Sequence, residues 1–309
     1  MAVDKRKVTI SDVTLREYGQ NVAKRNLNVF TDAYRAQTAR NLIDLGFRRL
    51  EVLSCVSSKV VPSMHGDRLR GVAYMIGRQP GAEIVTLVPN TRGMQLFLSL
   101  KLHELGHHAG FFLSAVQEHN LANLGMTIKQ TKQEYIKAAD MAKKHDVRFC
   151  AYISAAFGYK PAGGQKIIEA GFESLMELIT YFLELGAKTV TLSDLQGVAM
   201  PGKTFDLFTG LARELGNHIF MRLGYHGHHA DPETGLANAE EALDAGIRIL
   251  DGSLAGAGGC VTGAPGNLPT EDLVEIAEKH GFETGIDIEK VKVLAQRFYS
   301  RHINKSALG

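Results

Sequence analysis

The sequence has no tryptophan, only three cysteines and only eight prolines in 309 residues. Three cysteines cannot all pair, so a disulfide scaffold is excluded and a reducing compartment is expected. No run of about 18 apolar residues occurs, so no membrane span is expected. The opening stretch, MAVDKRKVTI, lacks an apolar h-region, so no signal peptide is expected and the cytoplasm is the expected setting. Charge of one sign is also missing. Lys and Arg number 35 against 33 Asp and Glu, a formal net charge of +2. No global field is therefore available to hold nucleic acid or an anionic membrane, and no basic stripe or reading helix is evident.

What is present is apolar mass and glycine. Hydrophobic residues make up 45% of the chain, enough with near-zero net charge to offset chain entropy and exclude disorder. A chain of this length can bury about three quarters of the surface its unfolded form exposes. There are 32 glycines, and four close helix-like stretches just before strand-like ones: Gly46, Gly106, Gly186 and Gly246. Glycine suits the left-handed turn beyond a helix C-terminus. The intervals Gly46 to Gly106 and Gly186 to Gly246 are both 60 residues, two units of about 30 each.

Eight short β-branched runs are predicted as strands: Val8–Ser11, Arg49–Leu53, Glu83–Val88, Gly110–Ser114, Val147–Ser154, Thr189–Ser193, Phe220–Tyr225 and Ile247–Ser253. Several lack clean alternation, as strands covered on both faces do. Eight strands alternating with helices predict a (β/α)8 TIM barrel over residues 1–286. The alternative, an open doubly wound sheet, lacks a GxGxxG after its first strand. Residues 287–309 read as a C-terminal helical extension, a cap or subunit contact, so a homo-oligomer such as a dimer is expected.

Chemistry in such a barrel sits where the strands end. Asp12, Thr14, Arg16, Glu17, Gln20 and Asn21 follow the first strand, Glu51 lies on the second, and Asn90 follows the third. Ser114 and Glu118 follow the fourth, and Ser193-Asp194 closes the sixth. The seventh ends in YHGHH, and the eighth leads into a small-residue loop with Cys260 and Asn267. On an extended segment, residues i and i+2 point the same way. His226 and His228 can therefore share a metal, while His229 points elsewhere. Two imidazoles and a carboxylate leave open positions on a divalent ion. Because neutral imidazole is required, affinity should fall below about pH 6. Arg16 can steady a developing oxyanion or enolate. Glu51 and Asp194 are candidates for proton transfer, and Gln20, Asn21 and Asn90 for substrate binding. Cys150, inside a predicted strand, reads as packing. Cys260, in a loop of small residues fit for a lid, reads as functional.

Together these motifs resemble the DRE-TIM metallolyases, most closely their 3-hydroxy-3-methylglutaryl-CoA lyase branch, over nearly the whole chain. DVTLREYGQN resembles the opening motif, with Arg16 at the catalytic arginine and Glu17 at the metal carboxylate. LEVLSCVSSKVVPSM carries the catalytic glutamate, Glu51. TLSDLQGVAMPG supplies Asp194, HGHH the metal pair, and AGAGGC…GAPGN the cysteine Cys260 and the metal-contacting Asn267. The resemblance implies a retro-Claisen cleavage with Mg2+ or Mn2+ held by Glu17, His226, His228 and Asn267. A 3-hydroxyacyl-CoA would give acetyl-CoA and a keto acid, with Cys260 helping to shuttle the last proton. Three features point to neighbouring activities. Glu17 stands where the lyases have Asp, as in homocitrate-synthase-type Claisen acyltransferases. HGHH resembles the 4-hydroxy-2-oxovalerate aldolases, which release pyruvate. The loop AAFGYKPAGG lacks the lyase sequence. A barrel that only binds acyl-CoA is the non-catalytic alternative. Loop shape sets specificity on this fold, so chemistry transfers better than substrate.

Overall fold

The computed structural model describes residues 6–22, 27–57, 61–164, 166–228, 231–259 and 265–304. Eight strands are present: β1 (Thr9–Asp12), β2 (Arg49–Ser54), β3 (Glu83–Leu87), β4 (His107–Ser114), β5 (Phe149–Ser154), β6 (Val190–Asp194), β7 (Leu223–Gly227) and β8 (Ile249–Gly252). They close in sequence order into a barrel. Every neighbouring pair is parallel, and β1 pairs with both β2 and β8. The β1–β8 register aligns Asp12 with Gly252.

The helices are α1 (Thr14–Asn21), α2 (Asp32–Asp44), α3 (Gly66–Ile76), α4 (Thr91–Ser99), α5 (Gln117–Leu124), α6 (Ile128–Lys144), α7 (Phe172–Leu185), α8 (Lys203–Leu215), α9 (Pro232–Ala245), α10 (Thr270–Lys279) and α11 (Ile288–Phe298). Most of the apolar core lies between this ring and the sheet, where Phe97, Phe111, Tyr135, Phe182 and Phe208 are fully buried. That is why several strands lack clean alternation: β2 is buried along its whole length, its Arg49 and Glu51 included. The four helix-ending glycines have φ of +110°, +82°, +109° and +118°, the left-handed region that a side chain disfavours.

Two strands depart from expectation. β4 starts at His107, not Gly110, because His107 is buried and its Nδ1 lies 2.9 Å from Thr86 Oγ1 on β3. β7 starts at Leu223, and the segment Asn217–Met221 is a 3-10 turn. Gly216, at φ +87°, ends α8 and turns the chain there, so the apolar residues Ile219 and Phe220 pack as a turn instead of a strand. The barrel floor is polar. Arg49, buried on β2, donates to Thr189 Oγ1 at 3.0 Å and to Tyr152 OH at 3.3 Å. Among the described residues no helix is long and apolar enough to cross a membrane.

Candidate active site

Six residues from the end of β1 onward carry much of the site. Asp12, at the strand end, accepts from Thr14 N (3.1 Å), Thr14 Oγ1 (3.0 Å) and Thr270 Oγ1 (2.8 Å). Burial pushes its carboxyl up to about 6 despite these donors. Thr14 Oγ1 in turn accepts from Leu254 N at 2.7 Å. The start of α1 is thereby tied to the segments after β8 and at the start of α10.

α1 then presents Arg16, Glu17 and Gln20 to a cavity of about 430 Å³ at the barrel mouth. The Arg16 guanidinium is buried between two carboxylates. It donates to Glu51 Oε2 at 2.6 Å, contacts Glu17 Oε1 closely, and reaches Gln20 Oε1 at 3.2 Å. Burial alone would raise the Glu17 carboxyl. The charges of Arg16, His226 and His228 outweigh it and hold Glu17 below the usual carboxylate range. Asn21 Nδ2 donates to Gly259 O at 2.6 Å, joining α1 to the small-residue loop. Gly258 allows that approach: its φ is +93°, and an added Cβ would sit 2.7 Å from Glu17 Cβ.

Across the mouth, β7 delivers the two imidazoles. His226 Nε2 and His228 Nε2 face each other at 3.0 Å. His228 Nδ1 lies 2.9 Å from Pro265 O. A carbonyl only accepts, so that nitrogen carries the proton and Nε2 keeps its lone pair. His226 Nδ1 lies 3.5 Å from Asp251 Oδ2. Burial lowers the His226 pKa, but Asp251 and Glu17 outweigh it and the net shift is upward; His228 is pushed down to about 4 by burial and by His226. Asn267, bridged to His228 through the backbone, donates its amide to Ala257 O at 2.9 Å, and its buried Oδ1 has no partner among the described residues. Buried Glu17 Oε2 likewise has none.

A carboxylate oxygen, an amide oxygen and two imidazole nitrogens are the donor types a divalent cation takes. The orphaned oxygens and the facing Nε2 atoms fit such an ion. Among the described residues, however, no three His, Cys, Asp or Glu side chains already converge at coordinating geometry; Glu17 Oε1 is engaged by Arg16.

The other residues divide clearly. Asn90 lines the cavity while its Oδ1 caps α4, accepting from Gly93 N at 2.9 Å. Asp194 turns away: both oxygens accept backbone amides, Val198 N and Ala199 N, at 2.9 Å each. Burial raises its carboxyl all the same. Cys260 and His229 lie outside the described residues. Cys55 and Cys150 are buried free thiols, and burial pushes Cys150 up to about 12, so neither is a reactive thiolate. Sequence reading places Asp251 at the end of the eighth strand but gives it no role behind His226, and it missed the wall of Leu87, Phe112 and Tyr152. Alternation along β5 could have found Tyr152, which shares a face with Ser154, another lining residue.

Residues 7–297 match the HMGL-like family. A hydroxymethylglutaryl-CoA lyase of Bacillus subtilis is 30% identical over 285 residues, covering 90% of this chain and 89% of that one. The mitochondrial hydroxymethylglutaryl-CoA lyase of Arabidopsis thaliana is 27% identical over 280 residues; the match covers 90% of this chain but only 56% of that longer protein. Among solved structures, an HMG-CoA lyase from Acinetobacter baumannii in complex with coenzyme A and 3-methylmalate superposes with a TM-score of 0.83 at 26% identity, covering 97% of this chain and 93% of that one. The family model spans nearly the whole chain, and the chain belongs to the HMGL-like family.

Proposed function

We propose that this protein is a divalent-metal-dependent carbon–carbon lyase that cleaves a 3-hydroxy-3-methylglutaryl-CoA-like thioester to acetyl-CoA and a keto acid. The observation that carries the proposal is Arg16, a buried cation held between Glu17 and Glu51 at the cavity and beside the paired imidazoles. Glu17, through its unpartnered Oε2, would hold Mg2+ or Mn2+ together with His226, His228 and Asn267. When bound, such a cation supplies Lewis-acid polarisation of the substrate's tertiary hydroxyl oxygen.

The chain's own residues account for the rest. A base takes the hydroxyl proton; we assign this to Glu51, whose Oε1 has no partner among the described residues, because His226 would be occupied by the cation at Nε2 and faces Asp251 at Nδ1. The oxygen's electron pair forms the ketone as the bond between the hydroxyl-bearing carbon and the neighbouring carbon breaks. The released pair becomes the thioester enolate of acetyl-CoA. Arg16 offsets that charge as it forms, which is worth about 3–4 kcal/mol at such positions. A proton then returns to the enolate carbon. Cys260, which lies outside the described residues, is the proposed donor, and Gln20, Asn21 and Asn90 are proposed to orient the substrate. To Asp194 we assign the anchoring of the loop after β6, since its oxygens are engaged by amides. Leu87, Phe112 and Tyr152 line the cavity with apolar surface, which would strengthen charge interactions where it displaces water. The cytoplasm and a homodimer remain our proposed setting and assembly.

The test is incubation of purified protein with the thioester and Mg2+ or Mn2+, following acetyl-CoA. Metal-dependent release of acetyl-CoA is expected. Release of pyruvate from a 4-hydroxy-2-keto acid, with no thioester cleavage, would reassign the site to an aldolase.

A further inference from the structure

α1 is eight residues long, begins at Thr14 after Val13, which gives it no side-chain cap, and has no basic residue in its last turn. So short a helix does not hold itself; its tilt is set by what packs on it. Successive residues are about 100° apart, so Tyr18 leaves α1 on the side opposite Arg16 and Gln20. There it meets the far end of the chain. Tyr18 stacks edge-on to Phe30 (ring centres 5.1 Å), Phe298 (5.2 Å) and His302 (5.3 Å), and its OH donates to His302 O at 3.4 Å. The His302 ring is the hub: Phe298, Tyr34 and Phe30 lie 4.7, 4.8 and 5.7 Å from it. It is 5% exposed. Residues Tyr299–Ile303 form a π-helical turn that continues α11. Outside the box, the Arg301 guanidinium lies 4.5 Å from the centre of the Tyr34 ring.

We infer that this aromatic box makes the C-terminal segment part of the catalytic unit, with His302 a positioning residue that sets the tilt of α1 and so the placement of Arg16 and Glu17. The pressure on α1 comes from two sides. Next to Tyr18, a Cβ on Gly19 would stand 3.0 Å from Met64 Cε and 3.3 Å from Phe30 Cε1. The helix thus packs against the segment after β2 on one side and the box on the other. The inference rests on the role proposed for Arg16, so its test includes a readout that does not depend on activity.

The experiment compares full-length His302→Ala and His302→Phe with the unaltered chain by hydrogen exchange and by steady-state kinetics. In His302→Ala, amides of residues 14–21 should exchange about tenfold faster or more, through local opening of α1. Its kcat should fall roughly 10- to 100-fold, as for a catalytic group displaced by about 1 Å. KM should rise as well, because α1 also carries Gln20 and Asn21, which are proposed to orient the substrate. His302→Phe, which keeps a ring at the hub, should restore both readouts. Unchanged exchange in His302→Ala overturns the inference, as does faster exchange with unchanged kcat, or equal loss in both variants. If the unaltered chain cleaves no thioester, the proposed reaction fails, while the exchange comparison still decides whether His302 holds α1.

Discussion

Arg16→Met is the substitution whose cost the structure allows to be worked out in most detail. Arg16 is 6% exposed, and Glu17 and Glu51, whose carboxylates it serves, are each 1% exposed. Methionine keeps the stem and removes the charge. Two buried carboxylates then face each other with no cation between them. Breaking a buried pair in this way costs about 3–5 kcal/mol when the remaining charge stays ionised. The site can escape part of that by binding a proton. In the unaltered chain the Glu17 carboxyl is held below its ordinary value, so its contribution to stability is present above the unfolded carboxylate range and is lost as pH falls through the depressed folded value. In the variant, burial is unopposed by Arg16, and the Glu17 carboxyl should rise above its ordinary value. Its penalty is then greatest at neutral pH and relieved in acid. The stability gap between variant and unaltered chain should therefore narrow from pH 7 to pH 5. Turnover should fall by about 10²–10³, the usual effect of removing one oxyanion donor. Arg16→Lys should recover little, because a compact ammonium cannot span both carboxylates as the planar fork does. Denaturant melts at several pH values, with acetyl-CoA release, read both effects. Turnover within about threefold of the unaltered chain would falsify the role given to Arg16.

Other consequences follow from single contacts. Asp251→Asn should weaken Mn2+ binding by about 10- to 100-fold, because the carboxylate 3.5 Å from His226 Nδ1 orients that ring; titration calorimetry showing unchanged affinity would count against it. Gly258→Ala should lower activity and cost about 1–3 kcal/mol in melts, since φ is +93° and the new methyl meets Glu17 Cβ at 2.7 Å; wild-type behaviour would mean that the loop does not seat on α1. His119 is buried, with its pKa pushed down by burial to about 4. A folded value below the unfolded one means its stabilising contribution is present above about pH 6.5 and is lost as pH falls to about 4, up to about 3 kcal/mol. His119→Phe should therefore gain on the unaltered chain as pH drops through that window, and a gap that does not move with pH contradicts the assignment.

Much of the barrel was legible because its cause is local. Several strands covered on both faces lack clean alternation, and glycines beyond helix ends marked the repeat. The acidic and basic residues at strand ends were legible for the same reason: once the strands are placed, period two decides which side chains share a face. His226 and His228 are the clearest case. What could not be read depends on contacts between distant segments. His107 looks like a polar loop residue until Thr86 is known to face it. Phe220 looks like strand because nothing in the apolar run announces the turn that Gly216 imposes. Asp194 looks like a proton-transfer group, and only the path of the loop after β6 shows its oxygens taken by two amides. The box around His302 joins residues 284 apart in sequence, which no local pattern could anticipate.

The central claim is that one divalent ion is held at the barrel mouth by side chains from α1 and β7. Mn2+ binding followed by electron paramagnetic resonance tests it most directly, on the unaltered chain and on His228→Ala. The account predicts about one tight Mn2+ per chain, and affinity falling by at least about tenfold in the variant. No stoichiometric binding, or equal affinity after His228 is removed, would contradict it.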